Sequence, residues 1–450
     1  MLRIALTTLG CRTNQVETEA IRHTLEDSVG EVRIVPWSAL ADVYVINTCT
    51  VTARADRQCR QQVHRAHRRA PGAAIVITGC YAEADSVTLA ALPGVVAVLG
   101  PGHRSEIGRH VAEAGSGRPA VADVRTGGLS GAIDTHRVDR HPGRTRVPVK
   151  VQEGCDARCS YCIVPAVRGP SRSLSAPEVI EDVRVLYGAG HPEIVIAGTH
   201  IGRWGRDLRP RQRIEDLIGA LLAGAPGVRI RLSSLDLTEV TPALVDLLAR
   251  EERIARHLHL TLQHTDPAVL ARMARRSPAG GVPALVERIG ELLPGFGLGA
   301  DVIAGFPGED RTTFEALVAT LEQLPLTYLH VFGFSARRDT PAASLPYPVG
   351  GPERRRRVAR LRALSEERLA PRFAAGLVGR RTMAVLEREG EGSRTLGTGS
   401  EFVPVAVDGG QRWLGQAVPI LITGTEGALT IGRIEGHQGS AEDVGRDAGC

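Results

Sequence analysis

Short apolar runs alternate with longer polar stretches carrying apolar residues at helical spacing through most of the first 370 positions. That alternation is the signature of strand–helix units packed into parallel sheets. In the first section, residues 1–104, runs at 4–9, 43–46 and 74–78 predict the strands of an open α/β domain. From residue 147 the runs resume at 147–151, 193–197, 229–232, 257–262, 297–303 and 328–332, separated by helical stretches at 177–187, 214–223, 242–250, 282–292 and 312–323. Six such units predict a parallel sheet curling into a partial barrel over residues 141–371, a (β/α)6 fold two units short of closing, with an open side for a macromolecule. A long polar helix at 352–369, with Arg354 to Arg357 at its start, ends this section. Runs at 382–386, 402–407, 416–422 and 428–434, set between Gly-rich turns, then predict a small β-barrel over 372–436. Residues 105–140 show little periodicity and read as a linker, and 437–450 as a polar tail.

The 450-residue length fits two to four domains, each able to bury a core. No run approaches 18 apolar residues and the first residues carry no basic leader, so a soluble cytoplasmic protein without membrane contact is expected. In that compartment thiols stay reduced, and the eight cysteines are read as ligands or redox groups instead of disulfides.

Cys155, Cys159 and Cys162 supply three thiolates in the spacing CxxxCxxC, with Tyr161 just before the last. Chance places that spacing about 0.003 times in such a chain. A structural zinc site needs a fourth Cys or His close by, and none follows Cys162. Iron–sulfur clusters normally take four thiolates, so a three-thiolate set leaves one iron open to substrate or cofactor. A second set is less local. Each strand of the first section is followed at once by a cysteine: Cys11, Cys49 and Cys80. If those strands are parallel, their carboxyl ends share one edge and the three thiols converge on a crevice. Cys59 and the terminal Cys450 fit neither set; the first reads as a packed or half-exposed thiol, the second as free.

Sites in barrels of this kind gather at the carboxyl ends of strands. There the chain has Gly198-Thr199-His200, Ser233-Ser234, Gln263-His264-Thr265 and Gly305-Phe306-Pro307-Gly308-Glu309. Small and hydroxyl-bearing residues let backbone approach a nucleoside or amino-acid moiety, although the two Gly-bearing turns are equally explained by turn chemistry. GxGxxG, GxxxxGK[ST] and HExxH are absent, which removes the dinucleotide, P-loop and zincin readings. Charge is informative only by position, because Lys150 is the single lysine among 55 basic residues. Residues 53–70 carry Arg54, Arg57, Arg60, Arg65, Arg68 and Arg69 against Asp56, a formal +5 that equals the excess of the whole chain. Such a helix is a candidate phosphate-contacting surface or, equally, a solvated face.

With these residues in view, the chain resembles the radical S-adenosylmethionine (SAM) methylthiotransferases, in which an N-terminal methylthiotransferase domain precedes a radical SAM core and a TRAM β-barrel. The spellings Leu9-Gly10-Cys11-Arg12-Thr13-Asn14, Glu17-Thr18-Glu19 and Asn47-Thr48-Cys49-Thr50-Val51-Thr52 are most similar to the threonylcarbamoyladenosine tRNA group. Two positions depart from the family pattern: His264-Thr265 stands where Ser-Gly is usual, and Gly333-Phe334 where Pro-Tyr is common.

The resemblance implies two four-iron clusters, an auxiliary one on Cys11, Cys49 and Cys80 and a SAM-cleaving one on Cys155, Cys159 and Cys162. It also implies a SAM pocket drawing on Tyr161, Gly198, Thr199, His200, Ser233, Ser234, Gln263 and Asp301. The implied acceptor is C2 of N6-threonylcarbamoyladenosine at position 37 of tRNA, held by its anticodon stem-loop, with electrons from a donor such as a flavodoxin or ferredoxin. A hydrogen on an sp² carbon lies beyond any side-chain base, which is why radical chemistry is needed. Other acceptors, N6-isopentenyladenosine of tRNA or an aspartate of a ribosomal protein, and a non-catalytic iron–sulfur RNA-binding or sensing role remain as alternatives.

Overall fold

The computed structural model describes residues 1–29, 31–115, 122–131, 133 and 138–435, so the tail with Cys450 lies outside the described residues. Six parallel strands form the first sheet: β1 (Leu2–Thr8), β2 (Val32–Val35), β3 (Val43–Thr48), β4 (Ala74–Gly79), β5 (Val95–Leu99) and β6 (Asp123–Arg125), in the order β2-β1-β3-β4-β5-β6. β3 is buried along its whole length, as a strand covered on both faces must be. Helix α1 (Arg12–Ser28) packs Ile21 and Leu25 against Ile4, Val43 and Val45 on one face. Helix α2 (Ala53–Arg69) packs Cys59, Val63 and Ala66 against Tyr44, Ile46 and Ile77 on the other. Cys59 is thus a core thiol.

The stretch read as a linker is in part built into this domain. Ile107–Gly115 is helical, and β6 pairs with β5 at Ala97↔Asp123 to Leu99↔Arg125. A three-residue edge strand is too short to show periodicity, which is why the pattern misses it.

The central section contains all six expected strands: β7 (Arg146–Glu153), β9 (Glu193–Gly198), β10 (Arg229–Leu232), β12 (His257–Gln263), β13 (Gly297–Ala304) and β14 (Tyr328–Gly333), with the short β8 (Arg172–Ser173) and β11 (Ser234–Leu235) added. β10 pairs with β9, while β11, one residue further on, pairs with β12. The break at Ser233 therefore joins two four-stranded sheets into one curled wall around a contiguous apolar core. The C-terminal section is a closed barrel of β15 (Arg381–Glu389), β16 (Arg394–Gly399), β17 (Pro404–Asp408), β18 (Ala417–Glu426) and β19 (Leu429–Ile434), in the order β15-β16-β17-β19-β18. β16, Arg-Thr-Leu-Gly-Thr-Gly, escapes the sequence pattern because its two glycines weaken the strand signal.

This small barrel is docked on the amino ends of the large barrel's strands. Arg231 donates to Gly399 O at 3.0 Å and Ser400 O at 3.1 Å, and Arg229 donates to Ser400 Oγ at 2.5 Å. The Phe402 ring stacks on His257 with centroids 4.6 Å apart and lies 5.3 Å from Tyr328. Among the described residues no helix is long and apolar enough to cross a membrane.

Candidate functional site

The register of β1, β3 and β4 levels their carboxyl ends: Thr8 pairs with Asn47, and Thr48 with Gly79. Cys11 sits at the N-cap of α1, Cys49 just past β3, and Cys80 opens the helix Cys80–Ala84. The three thiols thus lie on three adjacent strand ends. Two glycines make this possible. Gly10 (φ +114°) has no room for a side chain, since a Cβ there would lie 2.7 Å from Cys49 Cβ and 3.1 Å from its Sγ. Gly79 (φ +96°) is equally enclosed, by Asn47 and Thr48. Asn14 ties the edge together, donating to Leu9 O and Thr48 O, each at 2.9 Å, while Asn47 donates back to Asn14 O at 2.9 Å.

The second set lies on the loop after β7. Cys155 Sγ accepts from Ala157 N at 3.4 Å and lies 3.3 Å from His200 Nδ1, whose Nε2 is 2.9 Å from Glu239. Burial alone would lower His200; its bonds to Cys155 and Glu239 prevail and raise it to about 9. Tyr161 is mostly enclosed, its ring edge-on to Phe306, which in turn meets Phe334 edge-on at 5.0 Å. The departure at Phe334 therefore supplies an aromatic wall. The other departure, His264, is buried with Nε2 3.5 Å from Glu309, a carboxylate that accepts from Gly305 N and Arg357.

The two thiol sets meet through one short helix. Val164–Arg168 begins two residues after Cys162, and Arg168 Nε donates to Cys80 Sγ at 3.0 Å. The same guanidinium bonds Asn14, Glu17 and Glu153, and Lys150 lies 3.2 Å from Glu153. The sequence alone singles out none of these polar partners for chemistry.

Of the residues expected in a SAM pocket, Gly198 ends β9 and Thr199 and His200 follow it, Ser233 occupies the break between β10 and β11, the exposed Ser234 opens β11, and Gln263 closes β12 with φ +70°. All lie at the carboxyl edge that carries Cys155. Gly198 is again hemmed in, a Cβ there coming within 2.9 Å of Gln152 O. Asp301 stands apart from that edge. It lies within β13 and accepts from His259 Nε2 at 2.9 Å, with His330 Nδ1 3.7 Å away. Tyr328 lies 2.8 Å from both His259 Nδ1 and His257 Nε2. One proton direction satisfies this chain: His257 Nε2–H to Tyr328 O, Tyr328 O–H to His259 Nδ1, His259 Nε2–H to Asp301. Burial would raise the Asp301 carboxyl, yet the hydrogen bonds of His259 and His330 hold it down at about 2. Only His330 presents an exposed side chain. The alternation His-Leu-His-Leu over 257–260 is the sequence signal for this chain.

Residues 3–100 match the family model described as uncharacterized protein family UPF0004, and residues 149–321 that of the radical SAM superfamily. The threonylcarbamoyladenosine tRNA methylthiotransferase MtaB of Bacillus subtilis is 36% identical over 376 residues, which is 83% of this chain and 82% of that protein. The chain belongs to the radical SAM methylthiotransferases. This methylthiotransferase is also similar to the ribosomal protein uS12 methylthiotransferase RimO of Anaeromyxobacter sp., 31% identical over 96% of this chain and 93% of that one. Among solved structures, the radical S-adenosylmethionine methyltransferase TsrM from Kitasatospora setae overlays with a TM-score of 0.55 at 16% identity, over 76% of this chain and 74% of that chain, a likeness of fold.

The family's chemistry needs SAM and a cluster with an open iron, and the methylthiotransferase domain implies a second cluster. The donor sets fit. Each set offers three free thiols, one on three adjacent strand ends and the other on a single loop, and burial that pushes Cys49 up to about 11 and Cys80 and Cys162 to about 12 favours their holding a metal over their standing as bare thiolates. Gly10→Ala should displace Cys49 and reduce the iron of anaerobically reconstituted protein by roughly half, with SAM cleavage retained. Iron content equal to that of the unaltered protein would show that Gly10 does not shape the site.

Proposed function

We propose that this methylthiotransferase modifies C2 of N6-threonylcarbamoyladenosine at position 37 of tRNA, with Cys155, Cys159 and Cys162 holding the SAM-cleaving cluster and Cys11, Cys49 and Cys80 the auxiliary one. When bound, SAM and the two clusters supply a radical for hydrogen abstraction and the sulfur that replaces that hydrogen. The chain's own residues align the two sets. The observation that carries this reading is the helix Val164–Arg168, which starts beside one set and ends in a bond to the other. Relatives named for this nucleoside, from Bacillus subtilis, Rickettsia prowazekii and Aquifex aeolicus, are 34–36% identical and support the choice of acceptor. Position 37 lies in the single-stranded anticodon loop, where a base can be splayed out without opening a duplex. His200, clamped between Cys155 and Glu239, and Tyr161, walled by Phe306, would orient SAM.

The deciding experiment is nucleoside mass spectrometry of tRNA from a deletion strain, with uS12 peptides measured in parallel. Loss of the 2-methylthio form of N6-threonylcarbamoyladenosine supports the proposal. Loss instead from the uS12 peptide supports the second reading, which the near-complete coverage of the RimO relative favours.

Helix α2 is the surface proposed to grip the anticodon stem-loop. Arg54, Arg57, Arg65 and Arg68 form its exposed stripe, while Arg60 is bound to Tyr81 and Arg69 to Trp37 O. The helix is fixed to the barrel through Arg337, 2.5 Å from Asp56, and Ser335, which accepts from Ala53 N. Changing Arg54, Arg57, Arg65 and Arg68 to Gln should weaken all tRNAs alike. The salt dependence of log K should flatten by about 0.7–0.9 for each phosphate no longer neutralised. An unchanged slope in a filter-binding salt titration would reduce α2 to a solvated face. Arg357 offers no substitute, being buried against Glu309 and Glu353.

A further inference from the structure

A guanidinium has five N–H donors in a fixed planar fork. In Arg168 all five have acceptors: Nε on Cys80 Sγ at 3.0 Å, one terminal nitrogen on Glu17 Oε1 and Glu153 Oε1, the other on Asn14 Oδ1 at 2.7 Å and Glu17 Oε2 at 3.0 Å. Four of these acceptors are oxygens and one is sulfur. A neutral thiol is a weak acceptor, whereas a metal-bound thiolate is a strong one, so this fifth bond strengthens when Cys80 is ligating. The side chain is almost wholly buried and its charge is permanent, so no solvent reorganises to replace it. Asn14 and Glu17 follow Cys11 on α1, Cys80 follows β4, and Glu153 ends β7. One side chain therefore fixes the auxiliary crevice to the strand that leads into the Cys155 loop.

We propose that Arg168 sets the reduction potential of the auxiliary cluster and positions its Cys80 ligand through the Nε–H···Sγ bond. The inference rests on the reading of Cys11, Cys49 and Cys80 as cluster ligands. One-electron reduction adds a negative charge to the iron, sulfide and thiolate unit. A buried cation hydrogen-bonded to that thiolate stabilises the reduced form more than the oxidised one, so hydrogen bonds to cluster sulfurs raise the potential. Loss of Arg168 should make the cluster harder to reduce.

The test uses the full chain with Cys155, Cys159 and Cys162 changed to Ala, so that only the auxiliary cluster is present. Dithionite titration with redox mediators, followed by EPR, gives its midpoint potential. Arg168→Gln in that background is expected to disfavour the reduced form about tenfold, about 59 mV more negative for one electron. Arg168→Lys, which keeps the charge but not the fork, should recover part of the shift. Equal midpoints with equal iron overturn the inference and leave the ligand reading standing. Absence of any cluster in the Arg168-intact background overturns both. Because removing a buried cation can prevent folding, pulsed EPR on the intact Arg168 chain labelled with 15N-arginine gives an independent reading. A 15N coupling to the reduced cluster is expected from a donor nitrogen 3.0 Å from a ligating sulfur, and its absence overturns the proposal.

Discussion

Anaerobically reconstituted protein carrying Cys155→Ala, Cys159→Ala and Cys162→Ala is expected to bind about four iron atoms where the unaltered chain binds about eight, and to cleave no SAM. The reason is local. The three sulfurs stand on one loop, and Cys155 is held by Ala157 N and His200 while Cys162 N bonds back to Cys159 O. Nothing described in the first domain can replace them, since its own thiols lie at the ends of β1, β3 and β4 or, for Cys59, in the core beneath α2. The loss of turnover should be complete, because in the proposed reaction the hydrogen leaves an sp² carbon, which no side chain of ordinary pKa deprotonates. Iron analysis together with deoxyadenosine formation under dithionite checks both halves, and full iron in the triple variant would move the SAM-cleaving site elsewhere.

Changing Cys11, Cys49 and Cys80 to Ala should separate the two activities. Deoxyadenosine formation continues, since the Cys155 loop keeps its ligands, but no methylthiolated product appears. Arg168 loses its sulfur acceptor in this variant, leaving a buried N–H unsatisfied at a cost of about 1–3 kcal/mol. The variant should therefore melt earlier while the radical SAM half stays active. Liquid chromatography with mass spectrometry, monitoring deoxyadenosine and modified nucleoside in one reaction, measures both. Methylthio product at the unaltered rate would remove the auxiliary role from these cysteines.

The architecture is legible where the apolar signal is regular, as a run in a strand buried on both faces such as β3 or as an alternation in one with an open face such as β14. The cysteine after each of β1, β3 and β4 is visible because strand ends are punctuated by Gly and Thr. The partners of those cysteines are not legible. Arg168 is one of many arginines in an Arg-rich composition, and its role depends on α1, β4 and β7 meeting in space. Lys150 is the clue that composition does offer. In a chain that uses arginine everywhere else, the one lysine is buried between Glu17 and Glu153, beside Arg104 and Arg168. Arg60 shows the converse error. Sequence places it in the phosphate-facing stripe, because position along a helix does not reveal a neighbour such as Tyr81. The small barrel is foreseeable as a fold, but its docking is not, since the turn after β16 carries no pattern of its own.

That turn gives the large barrel a stopper. With Ser400 gripped by Arg229 and Arg231, and Phe402 pressed on His257 and Tyr328, the amino-end mouth is shut by the chain's own C-terminal domain. The wall of the large barrel does not close on itself, so with this end stopped the ways in are its open side and the carboxyl edge where both thiol sets stand. A C-terminal truncation would therefore do more than shorten the chain: it would unstopper this end and bare Arg229, Arg231, His257 and Tyr328 to water.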